Sequence, residues 1–243
     1  MVEIKDIRGF EKEFQLNVNG FEYVKDQVKG LESCKTDEEY EALLKPAAEK
    51  LVKEMTQAEA VFAFNYRIRD KLPGWEGEGA HRTPVPSVHA DFSAPGAEEA
   101  VGRAIQRNSD QENVKRIESL SKDPNKKLVV IHLWRPLGVV KRNPITMCDW
   151  KTVDVINDQH ACRPGGPGGH ECMQWHFNPK NKWYYLSEQK PDEVTVFVQY
   201  DSEVKGHMTL PHASFQGSNE KDLPTRRSME IRVMAVVPKN TQR

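Results

Sequence analysis

Five short apolar runs, each rich in β-branched residues and each ended by proline, glycine or a charged cluster, constrain this chain most. They are Ala60 to Ile68, Leu128 to Trp134, Glu193 to Tyr200, Met208 to Phe215 and Ser228 to Val237. Runs of that length and composition read as strands. The segment Arg163-Pro164-Gly165-Gly166-Pro167-Gly168-Gly169 suits no regular element and reads as a loop. Upstream, Thr36 and Glu39 have the form of a capping box, and Tyr40, Leu43, Leu44, Ala47, Leu51, Val52 and Met55 follow at helical spacing. A helix is predicted over about 37–58, bent or interrupted at Pro46, which has no N–H to donate. A second is predicted from Ala97 to Asn108. Helices first and many short strands afterwards give a mainly β fold with flanking helices, a sandwich or barrel with the helices packed outside. At 243 residues one domain is expected: residues 1–59 largely helical and lying on a β core of residues 60–237.

The charge balance narrows the partners. Lys plus Arg number 35 against 36 Asp plus Glu, so there is no basic surplus for nucleic acid or an anionic membrane. No apolar stretch approaches the roughly 18 residues of a membrane span. Met1 to Phe10 lacks the continuous apolar segment of a secretory signal, and four scattered cysteines, Cys34, Cys148, Cys162 and Cys172, make no disulfide framework. A cytoplasmic protein with reduced thiols is expected. Its expected partners are a small-molecule substrate and, at most, a second copy of the chain as a homodimer.

His89-Ala90-Asp91 places an imidazole and a carboxylate two residues apart, on one face of an extended segment. Two ligands do not define an open octahedral site. Two histidines and a carboxylate on one face leave three positions for cosubstrate and oxygen, and His212 in Leu210-Pro211-His212-Ala213-Ser214-Phe215 is the candidate third ligand. Arg226 and Ser228 follow at the entry to the last strand, where Arg226, Ser228, Glu230 and Arg232 share parity and Met229, Ile231 and Val233 take the other face. A guanidinium there offers the bidentate fork that the far end of a dicarboxylate requires. Glu230 and Arg232 also fit a plain cross-strand ion pair on a solvated face.

The order His-x-Asp, distal His, Arg-x-Ser resembles the iron and 2-oxoglutarate dioxygenases. Trp134-Arg135-Pro136-Leu137, Cys148-Asp149, Trp183-Tyr184-Tyr185, Tyr200-Asp201-Ser202, Pro211-His212-Ala213-Ser214-Phe215 and Arg226 to Arg232 are similar to the fungal gibberellin desaturase and cephamycin 7α-hydroxylase-like family. The resemblance spans roughly residues 60 to 237. It departs at Asn181-Lys182, where a histidine is common, and at Arg227, where an acidic residue is common. It implies a double-stranded β-helix (jelly roll), iron(II) held by His89, Asp91 and His212, 2-oxoglutarate as cosubstrate held by Arg226, Ser228 or Arg232, and oxygen. The implied reaction oxidises an unactivated C–H bond of a small specialised metabolite by hydroxylation, desaturation or ring closure. An amino acid or a compound derived from one is the expected substrate of so short a chain.

Arg135, Asn65, Arg67, Trp183 and Tyr185 are candidates for the substrate pocket. Adjacent aromatics on a strand point alternately in and out, so part of the Trp183 to Tyr185 run is core; Arg135 equally suits a strand-end pair with Asp149. Two rivals remain. His160, Cys162, His170, Cys172 and His176 could supply a zinc site to a hydrolase, although the Cys-x2-Cys knuckle is missing. A β-barrel that merely binds a small ligand, with His89 and His212 as ordinary buried histidines, is the other.

Overall fold

Strand periodicity is realised in two sheets facing one another. The computed structural model describes residues 2–72, 82–164, 166, 169–204, 209–217, 220 and 222–239. In chain order the elements are β1 (Ile4–Asp6), α1 (Leu16–Asn19), β2 (Phe21–Lys25), α2 (Asp37–Thr56), β3 (Ala60–Arg69), β4 (His89–Ala90), α3 (Ala94–Arg107), α4 (Glu112–Leu120), β5 (Lys126–Pro136), β6 (Ile145–Cys148), β7 (Gln159–Cys162), β8 (Cys172–Trp175), β9 (Trp183–Tyr185), β10 (Glu193–Asp201), β11 (His212–Ser214) and β12 (Ser228–Pro238). One sheet has the order β1-β9-β6-β11-β4-β8-β7 and the other β2-β10-β5-β12-β3. Four of the five expected strands appear with nearly the expected bounds. The fifth is shorter than the predicted run, and Met208 at its start lies outside the described residues, as do Gly165, Pro167 and Gly168 of the loop.

Alternation along β12 divides its two faces. Met229, Ile231, Val233, Ala235 and Val237 pack with Tyr40, Leu44, Ala48, Leu51 and Val52 of α2. Ser228, Glu230 and Arg232 face the other sheet, followed by Met234 and Val236, which pack with Val101 and Ala104 of α3 and Val114 and Ile117 of α4. Thus α2 lies outside the sandwich as expected. The α3–α4 pair instead closes one end of the five-stranded sheet's inner face, because its apolar stripe covers residues beyond the reach of the facing sheet. The other end is filled by Phe14, Phe21, Trp134, Met147, Phe197 and Leu210.

The helices depart from expectation in three places. α2 begins with the predicted capping box, Thr36 Oγ1 accepting from Glu39 N, and runs unbroken through Pro46. Pro46 and Ala42 are both exposed, so the carbonyl that loses its helical donor faces water. α3 starts three residues before the predicted Ala97, because Ser93 caps it by accepting from Gly96 N and Pro95 suits a first turn. α4 has no expected counterpart, because its buried residues are just Val114 and Ile117, too few for a helical stripe in the sequence.

Residues 1–59 supply more than helix. β1 pairs in parallel with β9, and β2 pairs antiparallel with β10. Arg8 clamps this segment, its Nη1 lying 2.5 Å from Glu193 Oε1 and its Nη2 donating to Ser187 O. Lys25 Nζ adds a 2.9 Å bond to the same Glu193 oxygen. Burial raises the Glu193 carboxyl, but Arg8, Lys25 and the Lys190 N–H outweigh it and bring it down to about 2. A carboxyl lowered in the folded state contributes stability that is present above its unfolded pKa and is lost as pH falls through the folded one. The stability difference between wild type and Glu193→Gln should therefore be full above pH ~5 and shrink as pH falls towards 2. Urea unfolding across that range measures it.

Candidate metal centre and cosubstrate pocket

Strand register assembles the triad. His212 of β11 pairs directly with His89 of β4, so the two imidazoles emerge side by side, with ring centroids 4.5 Å apart. Asp91, two residues beyond His89, emerges on the same face, with Oδ1 3.7 Å from His89 Nε2. One donor atom from each of the three lies within 4.8 Å of the others. Each imidazole is turned by a carbonyl: His89 Nδ1 is 2.8 Å from Ser87 O, and His212 Nδ1 is 3.1 Å from Leu210 O. A carbonyl only accepts, so Nδ1 carries the proton and the Nε2 lone pair is free for a metal. Burial and the neighbouring His89 push His212 down to about 4, which keeps it neutral at pH 7.

Asp91 is held from behind. Its Oδ2 accepts from Arg232 Nη2 at 3.0 Å and lies 3.2 Å from His132 Nδ1, which leaves Oδ1 towards the histidines. Burial alone raises this carboxyl, but Arg232 and then His132 hold it well below the usual carboxylate range. His132 Nδ1 is also 3.3 Å from Glu230 Oε1, and Glu230 lies 3.5 Å from Arg232 Nε. Glu230 and Arg232 do form an ion pair, but a buried one rather than one on a solvated face.

Arg226 has a different environment. It is 4% exposed, donates from Nη1 to Asn143 O at 2.8 Å and lies over the Trp134 ring at 5.1 Å. Its Nε and the Ser228 Oγ are buried with no hydrogen-bond partner. Burial, then Arg69, push this guanidinium down to about 9, with Glu230 opposing them only in part and no carboxylate within ion-pair distance among the described residues. Arg226 lines one pocket with His89, His212, Glu230, Trp134 and Arg69.

The remaining expected site residues divide. Asn65 and Arg67 lie on β3 opposite Arg232 and Glu230. A bulge at Phe64 reverses the parity of β3: Phe62 packs inward before it, Tyr66 and Ile68 outward after it, so Asn65, Arg67 and Arg69 face the site. Arg135 does not join them. It is buried on the outer face, paired with Asp26 rather than Asp149, and bonded to Pro191 O at 2.9 Å. Trp183 and Tyr185 are likewise not brought to the site, because Tyr184 takes the inward position, packing in tilted geometry against Phe14 and Phe21, and sends its neighbours to the opposite face. There Tyr185 meets Phe215 at 5.0 Å. The rival zinc cluster does not form among the described residues, whose metal-capable groups all centre on Asp91. The β7–β8 register sets Cys162 against Cys172 and His160 against Gln174, spreading the ligands along the hairpin.

A family profile described as "Oxidoreductase/YMDC permease-like domain" matches residues 1–236. Among the described residues no helix is long and apolar enough to cross a membrane. The chain is similar to hydroxylase/desaturase efuI of Hormonema carpetanum, 29% identical over 96% of this chain and 82% of the relative. It is also similar to the Fe(II)/2-oxoglutarate-dependent dioxygenase nvfI of Aspergillus novofumigatus, 28% identical over 96% and 82%. A solved structure of the iron and alpha-ketoglutarate-dependent endoperoxidase NvfI superposes with a TM-score of 0.81, at 27% identity, over 98% of this chain and 84% of that one. The chain belongs to the hydroxylase/desaturase family of iron(II)/2-oxoglutarate-dependent dioxygenases. The two sheets are the halves of the double-stranded β-helix of this family.

Three further residues of this dioxygenase's candidate site are not evident in the sequence. Arg69 was readable as the next position in the 65, 67 series once the strand was extended. His132 lay unnoticed in an apolar run; its parity with Trp134 points inward, but nothing local says that Asp91 awaits it. Gln199 had no signal at all. It occupies a bulge in β10, between Val198 and Tyr200, which turns its side chain inward. There Oε1 accepts from Asp91 N at 2.7 Å and Nε2 donates to Leu210 O at 3.0 Å, the carbonyl that also orients His212. One amide thus ties together the two segments that carry the candidate ligands. Gln199→Leu should raise the iron(II) dissociation constant about 10- to 100-fold with an unchanged far-UV spectrum, as loss of outer partners does elsewhere. Gln199→Glu, which keeps the acceptor for Asp91 N, should fall between the two; anaerobic iron(II) titration ranks them.

Proposed function

We propose that His89, Asp91 and His212 hold iron(II), that Arg226 and Ser228 take the far carboxylate of 2-oxoglutarate, and that the substrate enters beside Asn65 and Arg67. The observation that carries this reading is the contrast between two buried arginines. Arg232 is ion-paired with Asp91 and Glu230, although its Nε, like that of Arg226, makes no hydrogen bond. Arg226 has none among the described carboxylates within ion-pair distance, and its orphaned Nε is two residues along the chain from the orphaned hydroxyl of Ser228. A carboxylate ligand would satisfy both atoms and offset the cost of the buried charge.

When bound, the iron supplies the redox chemistry that couples oxidative decarboxylation of 2-oxoglutarate to oxidation of a substrate C–H bond. The residues present have simpler tasks. His89 and His212 offer lone pairs fixed by backbone carbonyls, Asp91 offers one oxygen while Arg232 and His132 restrain the other, and the apolar clusters on either side exclude water. The inward row Asn65, Arg67, Arg69 gives one wall a polar and cationic surface. That wall suits a small specialised metabolite with a polar or acidic group, such as an amino-acid-derived compound, better than a wholly apolar one.

Anaerobic titration of the metal-free protein with iron(II) and 2-oxoglutarate should give a charge-transfer band near roughly 500 to 530 nm, lost in His212→Ala. Arg226→Gln should keep iron binding but weaken 2-oxoglutarate about 10- to 100-fold, the equivalent of about one charged hydrogen bond. Arg232→Gln should instead weaken the metal, because it releases Asp91. Arg226→Gln with unchanged 2-oxoglutarate affinity would transfer the cosubstrate role to another cation. Succinate release with a panel of polar metabolites then tests the substrate class.

A further inference from the structure

A pair of thiols stands beside the metal centre and takes no part in it. Cys162 ends β7 and Cys172 begins β8, directly opposite one another in the antiparallel register, with their Sγ atoms 3.1 Å apart. Directly opposed residues of an antiparallel pair have Cα atoms about 4.5 to 5.5 Å apart, inside the 4.4 to 6.8 Å range that a disulfide spans. Closing to a bond of about 2.05 Å asks the sulfurs to approach by about 1 Å, a rotamer adjustment rather than a backbone movement. The other two cysteines have no such neighbour: Cys34 Sγ lies near Gly30 O at 3.7 Å, and Cys148 Sγ near Thr152 Oγ1 at 3.9 Å.

We propose that Cys162 and Cys172 are a redox couple, a dithiol that closes reversibly into a disulfide across the β7–β8 hairpin when it meets a small disulfide oxidant. The two thiols are unequal in access. Cys162 is half-buried and meets the oxidant, whereas Cys172 is 6% exposed. Burial, then the adjacent Cys162, push the Cys172 thiol up, so it stays protonated until its partner has reacted. In the first step the Cys162 thiolate attacks one sulfur of the oxidant; that S–S bond breaks and one thiolate leaves. In the second, Cys172 gives up its proton and attacks Cys162 Sγ, releasing the other half of the oxidant as a thiol. Two protein thiols become one disulfide, and one small disulfide becomes two thiols.

The hairpin is anchored beside the two cysteines, on both sides of its loop. Ser93 N donates to Glu171 O at 3.1 Å and Ser93 Oγ to Glu171 Oε1 at 2.6 Å, while Arg163 pairs with Glu99 of α3 at 2.9 Å. His170 packs on Phe92 with ring centroids 5.6 Å apart. β8 in turn pairs with β4, setting Gln174 opposite His89. The crosslink therefore fixes the strand that flanks the metal-bearing one, and couples the redox state of the surroundings to one wall of the site.

The test uses the full chain without metal, equilibrated in glutathione buffers of graded ratio, quenched with acid and alkylated. Oxidation should consume two of the four thiols with loss of two hydrogens, and should reverse with a dithiol reductant. Cleavage after Glu171 separates the two cysteines in sequence, so the peptides carrying Cys162 and Cys172 should stay joined until reduced. Cys172→Ser should trap a glutathione adduct on Cys162. Four thiols persisting across the whole range, or an equal loss in Cys162→Ser, would overturn the couple. Because no iron or 2-oxoglutarate is present, this result is independent of the cosubstrate assignment.

Discussion

The pairing of β11 with β4 is the constraint on which the site depends. It sets His212 against His89, and the two-residue period of an extended chain then adds Asp91 to the same face. A slip of one residue would send His212 to the other side of the sheet and leave a two-ligand site. Both strands are very short, three and two residues, so their own ladder specifies this register weakly. Gln199 compensates by bonding Asp91 N and Leu210 O with one amide, from a third strand in the opposite sheet. The bulge that frees Gln199 from its own ladder is therefore part of the site.

Charge buried between two apolar clusters is the second organising feature. Asp91, Glu230, Arg232 and Arg226 are each less than a tenth exposed, and His132 is fully buried, packed between Phe92 of one cluster and Phe197 of the other. Removing such groups from water is costly unless they pair. Three of the charges are paired through Arg232, and the effect is to keep Asp91 ionised with a single oxygen directed forward. Arg226 is the exception, stacked on Trp134 with no described carboxylate partner. That difference in pairing is the basis for proposing Arg226, rather than Arg232, as the cation that takes the cosubstrate.

Much of this was legible in the residues. The β12 alternation correctly separated Glu230 and Arg232 from Met229, Ile231 and Val233, because a strand's period does not depend on its neighbours. The capping box at Thr36 located the start of α2 for the same local reason. Elements with a weak or misleading local signal failed: α4 buries just two apolar side chains, and Pro46 is tolerated because its helix face is solvated. Arg135 and the Trp183 to Tyr185 run carried the right residue types on the wrong faces, which no composition reveals.

What the sequence determined by itself was chemistry and period: two histidines and an aspartate with ligand character, an arginine and a serine near the final strand, and short strands alternating inside and out. Tertiary structure decided which of these meet. The bulges at Phe64 and Gln199 shift parity midway along their strands, turning Arg67, Arg69 and Gln199 inward, and they arise from pairing with β12 and β5 rather than from anything in β3 or β10 alone. The partners of Arg226 and Arg232 are equally a matter of long-range packing. Two arginines six residues apart on one face are equivalent in sequence; they differ because Asp91 arrives beside one of them from 141 residues away along the chain.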